Sequence, residues 1–133
     1  MPLIVFPDAE AAMVAWVADH TALPVSTRVP NPRPDRFVRV FRTGGPRTGR
    51  TLDVAQLTIE VWDLDSVAAA AEASTIRAVV YDAAGRQVAG VQFARVEEAS
   101  GPGNLPDPLS AHDRYTWSVT VGVRATQPEP FGS

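Results

Sequence analysis

Residues 56–85 read QLTIEVWDLDSVAAAAEASTIRAVVYDAAG, and the change of period inside this stretch decides the fold class. Up to Trp62 the pattern alternates: Leu57, Ile59 and Val61 fall on one face, Thr58, Glu60 and Trp62 on the other. That is the two-residue period of a half-buried strand. Asp63 to Ser66 then supply side chains that accept from free backbone N–H groups, the residue types that begin helices. Beyond Ser66 the apolar positions Ala69, Ala73, Ile76, Val80 and Ala83 recur at helical spacing until Gly85. The spacing predicts a helix over about Ser66–Ala84 whose stripe, mostly alanine, lets it lie close against a sheet.

Outward from this unit, Phe37–Arg42 reads as a strand joined to Gln56–Trp62 through a Gly44–Arg50 loop. Before it, Pro30-Asn31-Pro32-Arg33-Pro34 is a stiff arm or extended loop, because these positions do not relax into helix. Val25–Val29 is a weak extended piece. The chain opens with a helix from Pro7-Asp8 to about His20, with Ala9, Met13, Trp16, Val17 and His20 on one stripe. On the other side, Val91–Glu98 is a strand with mixed alternation and room for a bulge, and Ser100–Asp113 is a Gly/Pro loop. Arg114–Ala125 alternates cleanly, with Tyr115, Trp117, Val119, Val121 and Val123 on one face. The expected fold is α+β: an antiparallel-dominated sheet of four to five strands packed against two helices. It forms a single layer-type domain over residues 1–126, and residues 127–133 form a C-terminal tail.

Composition excludes several chemistries. The 133 residues are 45% hydrophobic and 20% charged, an ordinary globular balance. Cysteine is absent, which removes disulfides, thiolate nucleophiles and thiolate metal sites together. All 12 basic residues are arginine, so phosphate-loop and Schiff-base lysines are excluded. The longest apolar-leaning stretch, Val67–Val80, is interrupted by Glu72 and Arg77, which argues against a membrane span. The short apolar N-terminal run has no positive flank, which argues against a secretory signal.

The arginines are unevenly distributed. Arg28, Arg33, Arg36, Arg39, Arg42, Arg47 and Arg50 face only Asp35 within residues 28–50. That segment carries +6 while the chain carries −3, leaving −9 for the rest. Such polarity suits steering of partners or the stacking of a basic surface on an acidic one; it equally suits a solvated hairpin. If Val38 and Val40 face the core, Phe37, Arg39 and Phe41 share the outer face with Trp62. Aromatics interleaved with arginine suit protein contacts and also base stacking, unless a helix or the Pro30–Pro34 arm covers them. The interface candidates are therefore Arg28, Arg33, Arg36, Phe37, Arg39, Phe41, Arg42, Arg47, Arg50 and Trp62.

Catalytic groupings are sparse. His20 ends the first helical stripe, where a partly buried histidine favoured by the helix dipole is expected. His112 stands beside Asp113 with no second histidine at metal-ligand spacing. Asp63 and Asp65 sit at cap positions, and adjacent Glu97 and Glu98 point to opposite faces of a strand. No Gly-x-Ser-x-Gly elbow or dinucleotide fingerprint occurs. The expectation is a non-enzyme with no catalytic residue, no cofactor and no metal.

Four stretches, taken in order, resemble the tail terminator proteins of long-tailed phages, in the form found in siphophages of actinobacteria. They are Phe6-Pro7-Asp8-Ala9-Glu10; Val25–Pro34 running into Phe37-Val38-Arg39-Val40; Leu57–Trp62 before the alanine-rich helix; and Val96-Glu97-Glu98 with Gly101–Pro108 before Arg114-Tyr115-Thr116-Trp117. The resemblance covers about Phe6 to Ala125 and implies a virion protein of the tail and neck, assembled in the host cytoplasm. It implies a homohexameric ring that caps the tail tube, stops its polymerisation and joins the head. The partners implied are further copies of the chain, the major tail tube protein and a head-side connector or stopper protein. The resemblance also implies that genome DNA passes through the lumen without sequence-specific binding and that no membrane is involved. A neighbouring head–tail connector or neck subunit and a small nucleic-acid-binding module are the alternatives.

Overall fold

A computed structural model of the chain describes residues 4–48 and 51–125. Helix α1 (Ala9–Ala18) starts where the Asp8 carboxylate accepts from the Ala11 N–H at 3.0 Å, which satisfies one of the free amides of the first turn. Helix α2 (Ser66–Asp82) starts the same way, Asp65 accepting from the Val67 N–H at 2.9 Å. Its buried positions are Ala69, Ala73, Ile76 and Val80, and the chain leaves it through Ala83 and Gly85, the latter at φ +78°. Glycine tolerates that left-handed conformation, and the helix ends at Asp82, two residues short of the expected Ala84.

The strands are β1 (Val25–Ser26), β2 (Arg36–Gly44), β3 (Arg47–Thr48), β4 (Leu52–Asp63), β5 (Gln87–Val88), β6 (Val91–Asn104) and β7 (Asp113–Arg124). Their order is β1-β2-β4-β7-β6-β5, with β3 pairing beside β2 along the start of β4. β1 runs parallel to β2, with Val25 opposite Val38, and the other pairings are antiparallel. The result corrects the expected fold class. The sheet is mixed, six strands along its path rather than four to five, and it curls into a half-barrel with two helices instead of lying as a layer against them.

Three local features account for the difference. Part of the Val25–Val29 piece joins the sheet edge in parallel, its position held by the Val38 N–H donating to the Pro24 carbonyl at 2.8 Å. Gln87–Val88 makes a two-residue strand in a turn too short for any period to register. β6 runs on to Asn104, through the first part of the expected Ser100–Asp113 loop, because register shifts at Phe93/Arg95, Glu98/Ser100 and Ser100/Gly103 let a Gly/Pro-rich strand keep pairing with β7. Each such irregularity bends and twists its strand, which suits a curled sheet. The Gly44–Arg50 loop likewise contains β3, paired at Arg47–Asp53 and Thr48–Leu52.

One core cluster fills the inner face. Val38 and Val40 of β2, Leu57, Ile59 and Val61 of β4, and Trp117, Val119, Val121 and Val123 of β7 meet Met13 and Val17 of α1 and Ile76 and Val80 of α2. The alternation decides this arrangement, since a one-residue slip would turn every one of these side chains outward. The same alternation sends Phe37, Arg39, Phe41, Thr58, Glu60 and Trp62 to the outer face.

Candidate interaction surface

Contacts within the chain explain what several arginines of residues 28–50 do. Arg42 grips Asp53 with both terminal nitrogens, at 2.7 and 2.9 Å, and also donates to the carbonyls of Gly44 and Gly45. Its own backbone N–H donates to Glu10 of α1 at 2.7 Å. The bonded Asp53 carboxylate raises the Arg42 guanidinium above its ordinary pKa. Arg39 donates to Glu60 at 3.4 Å and to the Thr27 carbonyl at 2.9 Å, with its guanidinium 3.8 Å over the Phe41 ring. Arg33 pairs with Asp107 at 2.7 Å. Three of the seven arginines are thus matched by acids outside residues 28–50, which offsets much of the expected local charge. Arg28 and Arg36 are exposed, and their guanidiniums have no bonded partner among the described residues. Arg47 contributes backbone to β3, and Arg50 lies outside the described residues, as does the tail of residues 127–133.

Phe37 and Trp62 lie on the outer face as expected, yet they are closed off, 0% and 3% exposed. They stand opposite one another in the β2–β4 register and stack with centroids 5.0 Å apart. The His112 ring stands edge-on to both, at 6.0 and 5.8 Å. Arg33 and Arg114 hold their guanidinium carbons 5.4 and 5.2 Å from the Trp62 centroid, within cation–π range. His112 also bonds the Pro34 carbonyl through Nε2 at 2.9 Å and Ser110 through Nδ1 at 2.9 Å. The Pro30–Pro34 arm and the loop before β7 are therefore tied over the aromatic pair. Phe37 and Trp62 act as a second small core, and of the three aromatic candidates only Phe41 keeps an exposed flank, beneath Arg39.

Exposed apolar side chains concentrate elsewhere. Leu64 is 46% exposed, Val67 76%, Leu105 56% and Leu109 86%. The register puts all four at one end of the sheet, because Trp62 and Asp63 pair with Arg114 and Asp113, and Asn104 pairs with Tyr115. Leu64 and Val67 follow the end of β4, while Leu105 and Leu109 lie between β6 and β7. Sequence reading passed over this group; the available signal was leucine at positions 105 and 109 inside an otherwise Gly/Pro/polar segment.

Most remaining polar groups have structural partners; among the described residues, Asp63 Oδ2 and Trp117 Nε1 are buried without one. His20 is exposed, not partly buried, and its Nδ1 bonds the Trp16 carbonyl at 2.7 Å, occupying a free acceptor at the end of α1. Asp63 accepts from the Asp65 N–H at 3.0 Å. Glu98 grips Arg77 of α2 through two bonds, which lowers the Glu98 carboxyl below its usual pKa. Glu97 is exposed beside Arg95. Among the described residues no group of three or more His, Cys, Asp or Glu side chains stands where a metal ion could be held. No family model matches the chain, and no curated protein matches it. What this surface offers chemically is contact: an apolar sheet end beside Arg36, which pairs with Asp63 in the register and whose guanidinium has no partner among the described residues.

Proposed function

We propose that the chain is a structural subunit of a phage tail, a terminator that closes into a ring on the finished tube and presents its other side to the head connector. The order and spacing of the four stretches between Phe6 and Ala125 suggest this reading. The observation that carries it is the gathering of Leu64, Val67, Leu105 and Leu109 at one end of the sheet. Exposed apolar groups collected on one side favour burial against another protein surface. A cap has to match the last tube ring on one side and refuse further tube subunits on the other, so two chemically different ends suit it. A contact between unlike surfaces of identical subunits is heterologous, and it forms a ring when the rotation closes.

The pairing of Arg33, Arg39 and Arg42 inside the chain also favours a protein-contact role over a nucleic-acid-binding module, because paired guanidiniums neutralise fewer phosphates. Electron microscopy of a phage lacking the subunit tests the proposal. Filled heads separated from tails longer than normal are expected. Tails of normal length joined to heads would overturn it.

A further inference from the structure

Four groups run in line across the outer-face aromatic pair: the Pro34 carbonyl, the His112 ring, the Ser110 hydroxyl and the Asp107 carboxylate. His112 is 7% exposed. Its Nε2 lies 2.9 Å from the Pro34 oxygen, its Nδ1 lies 2.9 Å from Ser110 Oγ, and Ser110 Oγ lies 2.7 Å from Asp107 Oδ2. The two ends of the line, a carbonyl and a carboxylate, only accept. Three contacts therefore require three protons from the groups between them. A neutral imidazole and a hydroxyl supply one each, which leaves the line one proton short.

We propose that this line is a proton-operated clasp holding the Pro30–Pro34 arm to the loop that carries Leu105 and Leu109. When His112 Nδ1 takes up a proton from solvent, Nε2–H donates to Pro34, Nδ1–H donates to Ser110, and the Ser110 hydroxyl donates to Asp107. All three contacts are made. When that proton leaves, the Ser110 hydroxyl turns either to Nδ1 or to Asp107, and one contact opens. The closed clasp binds one proton more than the open one, so rising pH loosens it.

The missing proton does not rest on Asp107. The Ser110 hydroxyl first, then the Leu109 backbone N–H and Arg33, hold that carboxyl below its usual range. Arg33 and Arg114 both lie over Trp62, the former engaged with Asp107. Glu60 accepts from Trp62 Nε1 at 3.3 Å and from Arg39. Asp113, next to His112, accepts from Asn104 at 3.1 Å; Asp63, opposite Asp113 in the register, accepts from the Asp65 backbone through Oδ1, and its Oδ2 is buried without a hydrogen-bond partner. Asp35 and Arg36 flank Pro34 and are exposed. The Ser110 oxygen also accepts from the His112 backbone N–H at 3.3 Å, so with the doubly protonated ring its acceptor capacity is filled.

The clasp is a property of the free chain and does not depend on the terminator reading. Its test is nuclear magnetic resonance of the isotopically labelled full-length protein between pH 5 and 8. His112 ring-nitrogen shifts are followed together with exchange protection of the Leu105 and Asp107 amides. Those amides donate to Arg114 and His112 within the loop, at 2.8 and 3.2 Å. Protection corrected for intrinsic exchange should fall about fivefold as the His112 ring loses its proton, the size of one net hydrogen bond. Ser110→Ala should abolish that dependence. Asp107→Asn should abolish it in the protected state, because a side-chain amide donates to Ser110 and supplies the missing proton. Protection in the wild type that ignores the state of His112 would overturn the proposal. So would an unchanged pH dependence in either variant.

Discussion

Arg42 on β2 and Asp53 on β4 meet as a two-pronged pair, Nη1 to Oδ2 at 2.7 Å and Nη2 to Oδ1 at 2.9 Å. The contact joins two strands near the end where β2, β3 and β4 converge, and the same guanidinium holds the Gly44 and Gly45 carbonyls. Arg42 therefore staples a turn. Replacing it with alanine leaves Asp53, itself 5% exposed, without its charge partner. The expected cost is about 2 kcal/mol, below the ~3–5 kcal/mol of a fully buried pair because the Arg42 side chain stays 33% exposed. Arg42→Lys should recover little, since an ammonium does not reproduce the planar fork. Urea midpoints of the three proteins measure this, and a loss under about 0.5 kcal/mol for Arg42→Ala, the range of ordinary surface changes, would remove the staple role.

The neighbouring turn depends on a glycine. A Cβ on Gly45 would sit 2.0 Å from the Val54 carbonyl oxygen and 2.7 Å from the Gln56 nitrogen, at a φ of +100°. Gly44 also has positive φ, +139°, but a Cβ there meets nothing within 4 Å. Gly45→Ala should destabilise markedly more than Gly44→Ala, because backbone atoms of β4 must move as well as the torsion. Thermal unfolding of the two variants gives the comparison. Equal shifts would mean that the close approach to β4 does not contribute.

Acid should weaken the fold through two carboxylates. Arg77 holds Glu98 below its usual range, and Ser110 with Arg33 does so for Asp107. A carboxyl whose folded value is depressed contributes stability that is complete above its unfolded value and is lost as pH falls through the folded one. For these groups the window opens near pH ~4 and extends below it. The arginine partners, Arg33 and Arg77, are 32% and 46% exposed, so solvent screens both pairs, and the effect is modest and weakens with salt. The Glu98→Gln, Asp107→Asn double variant should lose less stability than wild type between pH 5 and pH 3. Parallel pH profiles for the two proteins would contradict this assignment.

Legibility in the sequence followed period length. Long elements with an uninterrupted pattern were readable: the alternation from Leu57 to Trp62 and the stripe from Ala69 to Ala83 led to the observed faces of β4 and α2. Sheet architecture was not, because it turned on short or irregular pieces. Val25–Ser26 and Gln87–Val88 are two residues each, too few for a period. The glycines and proline of β6 suggested a loop, and tertiary pairing with β7 overrode that preference. The arginine-rich segment was visible as a charge run, but its partners Asp53, Glu60 and Asp107 stand 11, 21 and 74 residues from their arginines, and no local pattern announces such pairs. The covering of Phe37 and Trp62 depends on His112, whose role arises from a contact 78 residues away at Pro34.

Leu105 and Leu109 separate folding from assembly. Both are exposed, at 56% and 86%, and neither belongs to the core cluster or to the aromatic pair beneath the clasp. Changing both to serine should therefore shift unfolding free energy by no more than about 0.5 kcal/mol, the usual range for surface positions. In a ring that buries the sheet end, the same change removes two apolar anchors. Truncating well-packed anchors costs ~1–2 kcal/mol or more each at protein interfaces. Identical subunits repeat that loss at every contact around a ring, so assembly should fail while the subunit remains folded. A phage lacking the subunit, supplied with the double variant, should yield separated heads and overlong tails, and Arg28→Ser, Arg36→Ser should weaken joining less. Retained stability with normal, infectious particles would show that this end of the sheet faces no partner, and the site of contact would have to be sought along the β6 edge or at the opposite end. Lost stability without the assembly change would instead make the two leucines part of the fold.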